Sequence, residues 1–179
     1  MKRRSLVRAF ASLLMVTLFT GLVMAQKPRV SPPGTASAKI GGQEITITYH
    51  RPYVKGREVL GNLIPLGKVW RLGANEATKL TTPVDIEING LKIPAGSYSM
   101  FMLVTEDDGA KLIINKVAEQ WGAFKYDESQ DLGRVSISGD QGHPFVEQFT
   151  IELKSTSDKT GELSFAWGEG KATATVKAP

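Results

Sequence analysis

Between residues 36 and 176 the apolar residues recur at every second position in short runs, and almost every run ends at a turn residue. A period of two is the signature of a half-buried β-strand, and no stretch keeps the 3.6-residue period long enough for an amphipathic helix. Ile45, Ile47 and Tyr49 share one face of such a run, with Thr46, Thr48 and His50 on the other. Phe149, Ile151 and Leu153 alternate with Thr150, Glu152 and Lys154, and Leu163, Phe165 and Trp167 form a further inward stripe. Gly41-Gly42 and Asn89-Gly90 are two-residue hairpin signals, because both dipeptides accept the positive φ that a tight turn needs. Tyr98 to Val104 is apolar at nearly every position and reads as a central strand covered on both faces.

The chain therefore predicts nine or ten short strands, no βαβ unit and no internal repeat. The expected architecture is all-β: a two-sheet antiparallel sandwich of jelly-roll type, with one long irregular loop. At most one short helical turn is expected, around Trp121 to Tyr126. Gly139 to Pro144 reads as a loop and Gly168-Glu169-Gly170 as a turn, each separating two strands.

The first residues read as a leader and not as part of this fold. Lys2, Arg3, Arg4 and Arg8 precede an apolar run from Ala9 to Ala25, and Val23-Met24-Ala25 suits cleavage before Gln26. The run is short for a membrane span and contains Ser12, Thr17, Thr20 and Gly21. Residues 1–25 are thus expected to be a signal peptide, 26–34 an extended Pro-containing arm, and 35–179 one β-sandwich domain in the periplasm or outside the cell. With no cysteine, a lipid-anchoring site and disulfides are both excluded, and packing alone must hold the fold.

The leader also explains the charge. Of 22 Lys and Arg, four lie in it with none of the 18 Asp and Glu, so the rest of the chain is balanced. That argues against a nucleic-acid partner, which needs a surplus of cations on the folded domain. No membrane span is expected after cleavage.

Familiar chemistries find little support. His50 and His143 are the only histidines, and neither belongs to a metal-binding motif, so no metal is expected. A site assembled from both histidines and a carboxylate on folding is the one arrangement left open. Asp107-Asp108-Gly109 lacks the spaced ligands of a calcium loop. There is no Gly-x-Ser-x-Gly elbow, and Gly168-Glu169-Gly170 has no helix after it to hold a phosphate. No cofactor is expected.

The stretch from Tyr49 to Thr78 differs from all of this. Arg51, Lys55, Arg57, Lys68 and Arg71 stand there against Glu58 as the only acid before Arg71, in a chain that is otherwise balanced. Gly56, Gly61, Gly67 and Gly73 allow tight turns and close approach of the backbone. Guanidinium forks suit carboxylate, sulfate or phosphate, Tyr53 and Trp70 offer flat faces, and Asn75 and Glu76 can orient hydroxyls. A plainer reading stands beside this one: a loop of this length needs its carbonyls tied down, and Arg and Asn side chains do that.

His50-Arg51-Pro52, Lys55-Gly56-Arg57, Trp70-Arg71 and Gly73-Ala74-Asn75-Glu76-Ala77-Thr78 resemble the signature of a secreted bacterial family, domain of unknown function 2911. Pro94-Ala95-Gly96-Ser97-Tyr98, Asn115-Lys116, Trp121-Gly122 and Tyr126-Asp127 are similar to its later motifs. The resemblance spans roughly Val30 to Val176. It implies an exported β-rich protein and carries no activity with it.

Three functions are then weighed. The first is a binding module for a small anionic or saccharide ligand, held by Arg51, Lys55, Arg57, Trp70, Arg71, Asn75 and Glu76. The second is a structural or envelope-associated interaction protein, which would show a broad exposed apolar patch. The third is a hydrolase-type enzyme using Glu76 or His50 as acid or base beside the arginines.

Overall fold

The computed structural model describes residues 29–105 and 109–179. The expected leader and the Asp107-Asp108 pair lie outside the described residues. Among the described residues ten strands follow one another: β1 (Pro33–Ile40), β2 (Gln43–His50), β3 (Val69–Trp70), β4 (Thr78–Thr82), β5 (Ile86–Ile88), β6 (Leu91–Ile93), β7 (Gly96–Val104), β8 (Ala110–Asn115), β9 (Asp131–Ser155) and β10 (Thr160–Lys177). Every ladder between them is antiparallel. Among the described residues no helix is long and apolar enough to cross a membrane.

The strand order is β1-β2-β4-β7-β8-β9-β10-β5-β6, with β3 on β7, and the path ends in β1 and β6 without closing. The all-β antiparallel class expected from the sequence is what forms. The two layers are halves of one continuous sheet, because β9 is long enough to serve both. Its first part, to Ile137, pairs with β8, and the rest, from Ser138, pairs with β10. The strand thus passes from one layer to the other and turns the sheet's inner faces toward each other.

The alternating runs fill the space between these faces. Ile45, Ile47 and Tyr49 are buried against Phe149, Ile151 and Leu153 in one large apolar cluster. Phe149 is its hub: Tyr49 meets it edge-on at 5.7 Å and Trp70 at 5.2 Å, while Trp70 lies nearly parallel to Trp167 at 5.8 Å. Such ring pairs add about 0.5–1.5 kcal/mol each beyond the area they bury. The opposite face of β7 and β8 buries Phe101 and Ile113 beneath Tyr126 and Ala123. Tyr98–Val104 is therefore covered on both sides, as its continuous apolar pattern predicts.

Two local expectations differ from what forms. Gly139 to Pro144 and Gly168-Glu169-Gly170 do not separate strands; they lie opposite one another inside the β9–β10 ladder, where Gly170 pairs with Gln141 and Gly168 with Val146. Because both irregular stretches fall at the same level, the hairpin bulges and continues. β9 spends more residues than β10 across this interval. The chain between Ala123 and Tyr126 makes only a turn, and the helical turn is a 3-10 segment at Glu128–Gln130, capped by the Asp127 carboxylate on Ser129 N.

The freed edge of β9 at the bulge takes a new partner, the chain that leaves β2. Val54 N donates to Glu147 O at 2.8 Å and Phe149 N to Pro52 O at 2.9 Å. Beside this seam the buried Tyr49 hydroxyl accepts from Ile151 N at 2.9 Å and donates to Ile151 O at 3.2 Å. Removing it orphans two backbone groups, and an orphaned buried group costs roughly 1–3 kcal/mol. Tyr49→Phe should therefore lower the urea unfolding free energy by at least about 1–3 kcal/mol with an unchanged m-value. A loss of only a few tenths would show that the seam does not need this hydroxyl.

Candidate functional site

The stretch after β2 is built from short tethers, and its arginines supply several of them. Lys55 and Gly56 both take positive φ, 49° and 68°, and Arg57 N closes the turn on Val54 O at 3.1 Å. The Arg57 side chain locks that turn a second time, with Nε donating to Val54 O at 3.0 Å and Nη2 to Tyr53 O at 2.6 Å. Arg51 reaches across the seam instead. Its Nε donates to Phe149 O at 3.2 Å and its Nη2 to Thr150 Oγ1 at 3.0 Å, while Gln148 Nε2 returns a bond to Arg51 O at 3.2 Å.

The segment from Trp70 to Thr78 is held under local strain. Leu72 and Asn75 adopt φ of 55° and 58°, and Leu72 is fully buried there. A bulky residue in the left-handed region persists only where its surroundings over-determine it. Here Thr78 Oγ1 donates to Leu72 O at 2.6 Å and Thr78 N to Arg71 O at 3.2 Å. Gly73 packs so closely that a Cβ would lie 2.8 Å from His50 O. Arg71 Nη1 donates to Asn75 O at 3.2 Å, and its guanidinium lies 5.4 Å from the Phe124 ring centre.

These tethers leave a cleft of about 710 Å³ in front of them. Lys55, Arg57, Trp70, Arg71 and Asn75 line it, with Tyr53 and Asn62 as further polar walls. No carboxylate lines it, and among the described residues none of its three cations is in an ion pair. Trp70 contributes from the core side, at 7 % exposure. Arg51 does not line this cleft, and Glu76 faces a different hollow.

That second hollow lies beside β1 and β2 and includes His50, Glu76, Lys79, Glu119 and Trp121. Arg29 Nη1 reaches both Glu76 oxygens, at 2.8 and 2.6 Å, and lies 3.2 Å from His50 Nε2. His50 Nδ1 is 3.3 Å from Glu76 Oε2. The Arg29 bond holds the Glu76 carboxyl below its ordinary range. Burial pushes the His50 imidazole below 6.5, outweighing the pull of Glu76 in the other direction. Among the described residues no group of three or more His, Asp or Glu is placed to hold a metal ion. His143 sits on β9 with Nδ1 2.9 Å from Pro144 O.

Other chemistry emerges that sequence reasoning did not single out. Arg29 lies outside the stretch that the charge count highlighted, and nothing in its neighbours signals Glu76 as a partner. Tyr126, Asp131 and Arg134 form a network that fastens the loop over Phe101. Tyr126 OH donates to Asp131 Oδ2 at 2.6 Å, and Arg134 donates to both, at 2.7 and 2.8 Å. Burial, then the Asp131 bond, push the Tyr126 hydroxyl up to about 12, so it stays a donor. Asn115 Nδ2 joins the network at Asp131 Oδ1, 2.9 Å away. Trp121 and Phe124 stand exposed on the same loop, at 54 % and 78 %.

The family described as protein of unknown function (DUF2911) matches residues 31–176 of the chain, from before β1 to the penultimate residue of β10. No curated protein and no solved structure matches it.

Two outcomes follow from this geometry. Thr78→Val keeps the shape and strands the Leu72 carbonyl, so it should cost roughly 1–3 kcal/mol. For a domain of this size that is a fall of about 2–4 °C in Tm for each kcal/mol; an unchanged Tm would mean that the left-handed turn does not rely on Thr78. The lowered values of His50 and Glu76 act in the same direction, since each group binds protons more readily when unfolded. Stability should fall as pH drops below 6.5, first through His50 and then, in the carboxylate range, through Glu76. His50→Gln should flatten the upper part of that decline in a series of urea unfolding curves, and an identical profile would remove His50 from the account.

Proposed function

Because the chain belongs to the DUF2911 family, whose description assigns no activity, we propose its function from the site alone: a module that binds a small anionic ligand in the cationic cleft. One observation carries this reading. Lys55, Arg57 and Arg71 line one cleft together with no carboxylate, in a chain whose charges otherwise balance once the leader is set aside. Arg57 and Arg71 already hold backbone carbonyls, which fixes them in place, and a fixed guanidinium loses little freedom when it grips a carboxylate or phosphate. Asn75 and Tyr53 supply neutral polar contacts, as a sugar acid or a phosphorylated metabolite would use. The expected export of the chain makes this a periplasmic or extracellular binding function.

A hydrolytic role for Glu76 has less support. Its carboxylate is gripped by Arg29 and belongs to the other hollow, away from the cleft lining. A role in contacts with the cell envelope draws on exposed Trp121 and Phe124, yet guanidiniums approach both rings and make that surface mixed in character.

A thermal-shift screen of residues 26–179 against inorganic phosphate, sugar acids, dicarboxylates and neutral sugars tests the binding reading. An anion at about 100 times its Kd should stabilise by about 2.7 kcal/mol. Lys55 is exposed; among the described residues its ammonium contacts only the Tyr53 ring, at 5.7 Å, while its backbone N donates to Glu147 Oε1 at 2.9 Å. Lys55→Glu should leave the ligand-free Tm unchanged and weaken the anion roughly tenfold or more, the worth of about 1.5–3 kcal/mol for a charged hydrogen bond. Neutral sugars binding as well as anions, or Lys55→Glu binding like the parent, would sink it.

A further inference from the structure

A third hollow opens where the β9–β10 ladder bulges. It has a volume of about 340 Å³, within the range of pockets that hold small ligands, and its floor is the buried core: Val54, Ile64, Met102, Phe149 and Phe165. The bulge is the physical reason for it. Gly168 takes φ of 61° beside the register shift, where Glu147 to Phe149 of β9 stand opposite Trp167 alone and also pair with the chain after β2, so the ladder is distorted over the aromatic cluster. Bulges of this kind recur beside binding sites, because they aim side chains away from the ladder. Phe145 stands at the mouth with 57 % of its surface exposed.

The rim of this pocket carries Arg57 and Lys171 against Glu58 and Glu169, so its own charge is balanced. Its connection to the cationic cleft is what gives it direction. Arg57, Trp70 and Trp167 line both hollows, as the wall between them. The indole N–H of Trp167 is buried in that wall and has no acceptor, one of two such side-chain atoms among the described residues. A buried donor without a partner is uncommon in a finished core and marks a place where an acceptor belongs.

We infer that cleft and pocket are two ends of one site, which takes an amphipathic anion: a carboxylate head among Lys55, Arg57 and Arg71, and an apolar chain in the pocket under the bulge. This rests on the anion-binding reading of the cleft and names the ligand class for it. The core floor excludes a second charge from the deep end, since nothing there could pair with it.

The chain has three tryptophans. In a Trp121→Phe background the two that remain, Trp70 and Trp167, both stand in the shared wall, so their fluorescence reports binding at either hollow. Titration with acetate, octanoate, octanol and inorganic phosphate then separates the outcomes. Octanoate should bind at least tenfold more tightly than acetate. Val59→Phe, which narrows the pocket without touching the cleft lining, should erase that advantage and leave phosphate binding unchanged. Lys55→Glu should weaken octanoate and not octanol. If octanoate binds no better than acetate while phosphate still binds, the joint site is wrong and the cationic cleft stands alone. If octanol matches octanoate and Lys55→Glu affects neither, the apolar pocket acts alone and both readings of the cleft fall. Ala172→Leu fills the same pocket from β10 and replaces Val59→Phe should that variant melt below the working temperature.

Discussion

β9 changes partners along its length, and the rest of the molecule depends on that change. β9 keeps β8 on one edge only as far as Ile137 and takes β10 on the other from Ser138, so the two halves of the sheet do not overlap along it and can fold toward each other. This folding sets Phe149 facing Tyr49 and Trp70, and the apolar cluster forms between the two halves. It also leaves an edge of β9 unpaired at Glu147 to Phe149. The chain leaving β2 fills it, and Arg51 bonds to Phe149 O and Thr150 Oγ1 beside it. Fold and candidate site therefore share one cause.

The basic residues of the central stretch divide by what remains free after folding. Arg51 spends its donors on the seam and is structural. Arg57 and Arg71 are each tied to a carbonyl and still border the cleft, while Lys55 is held by its backbone N on Glu147 Oε1 and leaves its ammonium beside an aromatic face. Tethering and ligand binding are therefore compatible here. A guanidinium fixed by one edge presents the other in a set direction, which is the preorganisation that a binding site needs. The left-handed backbone at Lys55 and Asn75 and the buried Leu72 store strain beside the cleft, where strained residues tend to gather.

Much of this was legible in the residues. Ile45, Ile47 and Tyr49, and again Phe149, Ile151 and Leu153, announce an inward face by period alone, and burial falls on those positions. Asn89-Gly90 announces its turn, with φ of 44° and 92°. Five of the seven polar and aromatic candidates line one cleft. What period cannot convey is pairing across distance. Gly139 to Pro144 looks like a loop until Gly168-Glu169-Gly170 is set opposite it, and only then do two interruptions become one bulge. Arg51 shows no sign of Phe149, 98 residues away, and Glu76 none of Arg29. The helical turn falls at Glu128, where the Asp127 carboxylate caps the segment on Ser129 N, and not among the aromatic residues before it.

The seam also sets an order of events for a chain that is made from its N-terminus. Tyr49 waits for Ile151 and Pro52 for Phe149, so β1 to β8 emerge with their inner faces bare until β9 exists. Contacts of such long sequence separation form late, and the uncovered strands are the state most exposed to wrong pairing. A truncation before β10 would leave Phe149 without Trp167 and β9 without its second neighbour. β9 and β10 must therefore both be made before the molecule has an inside.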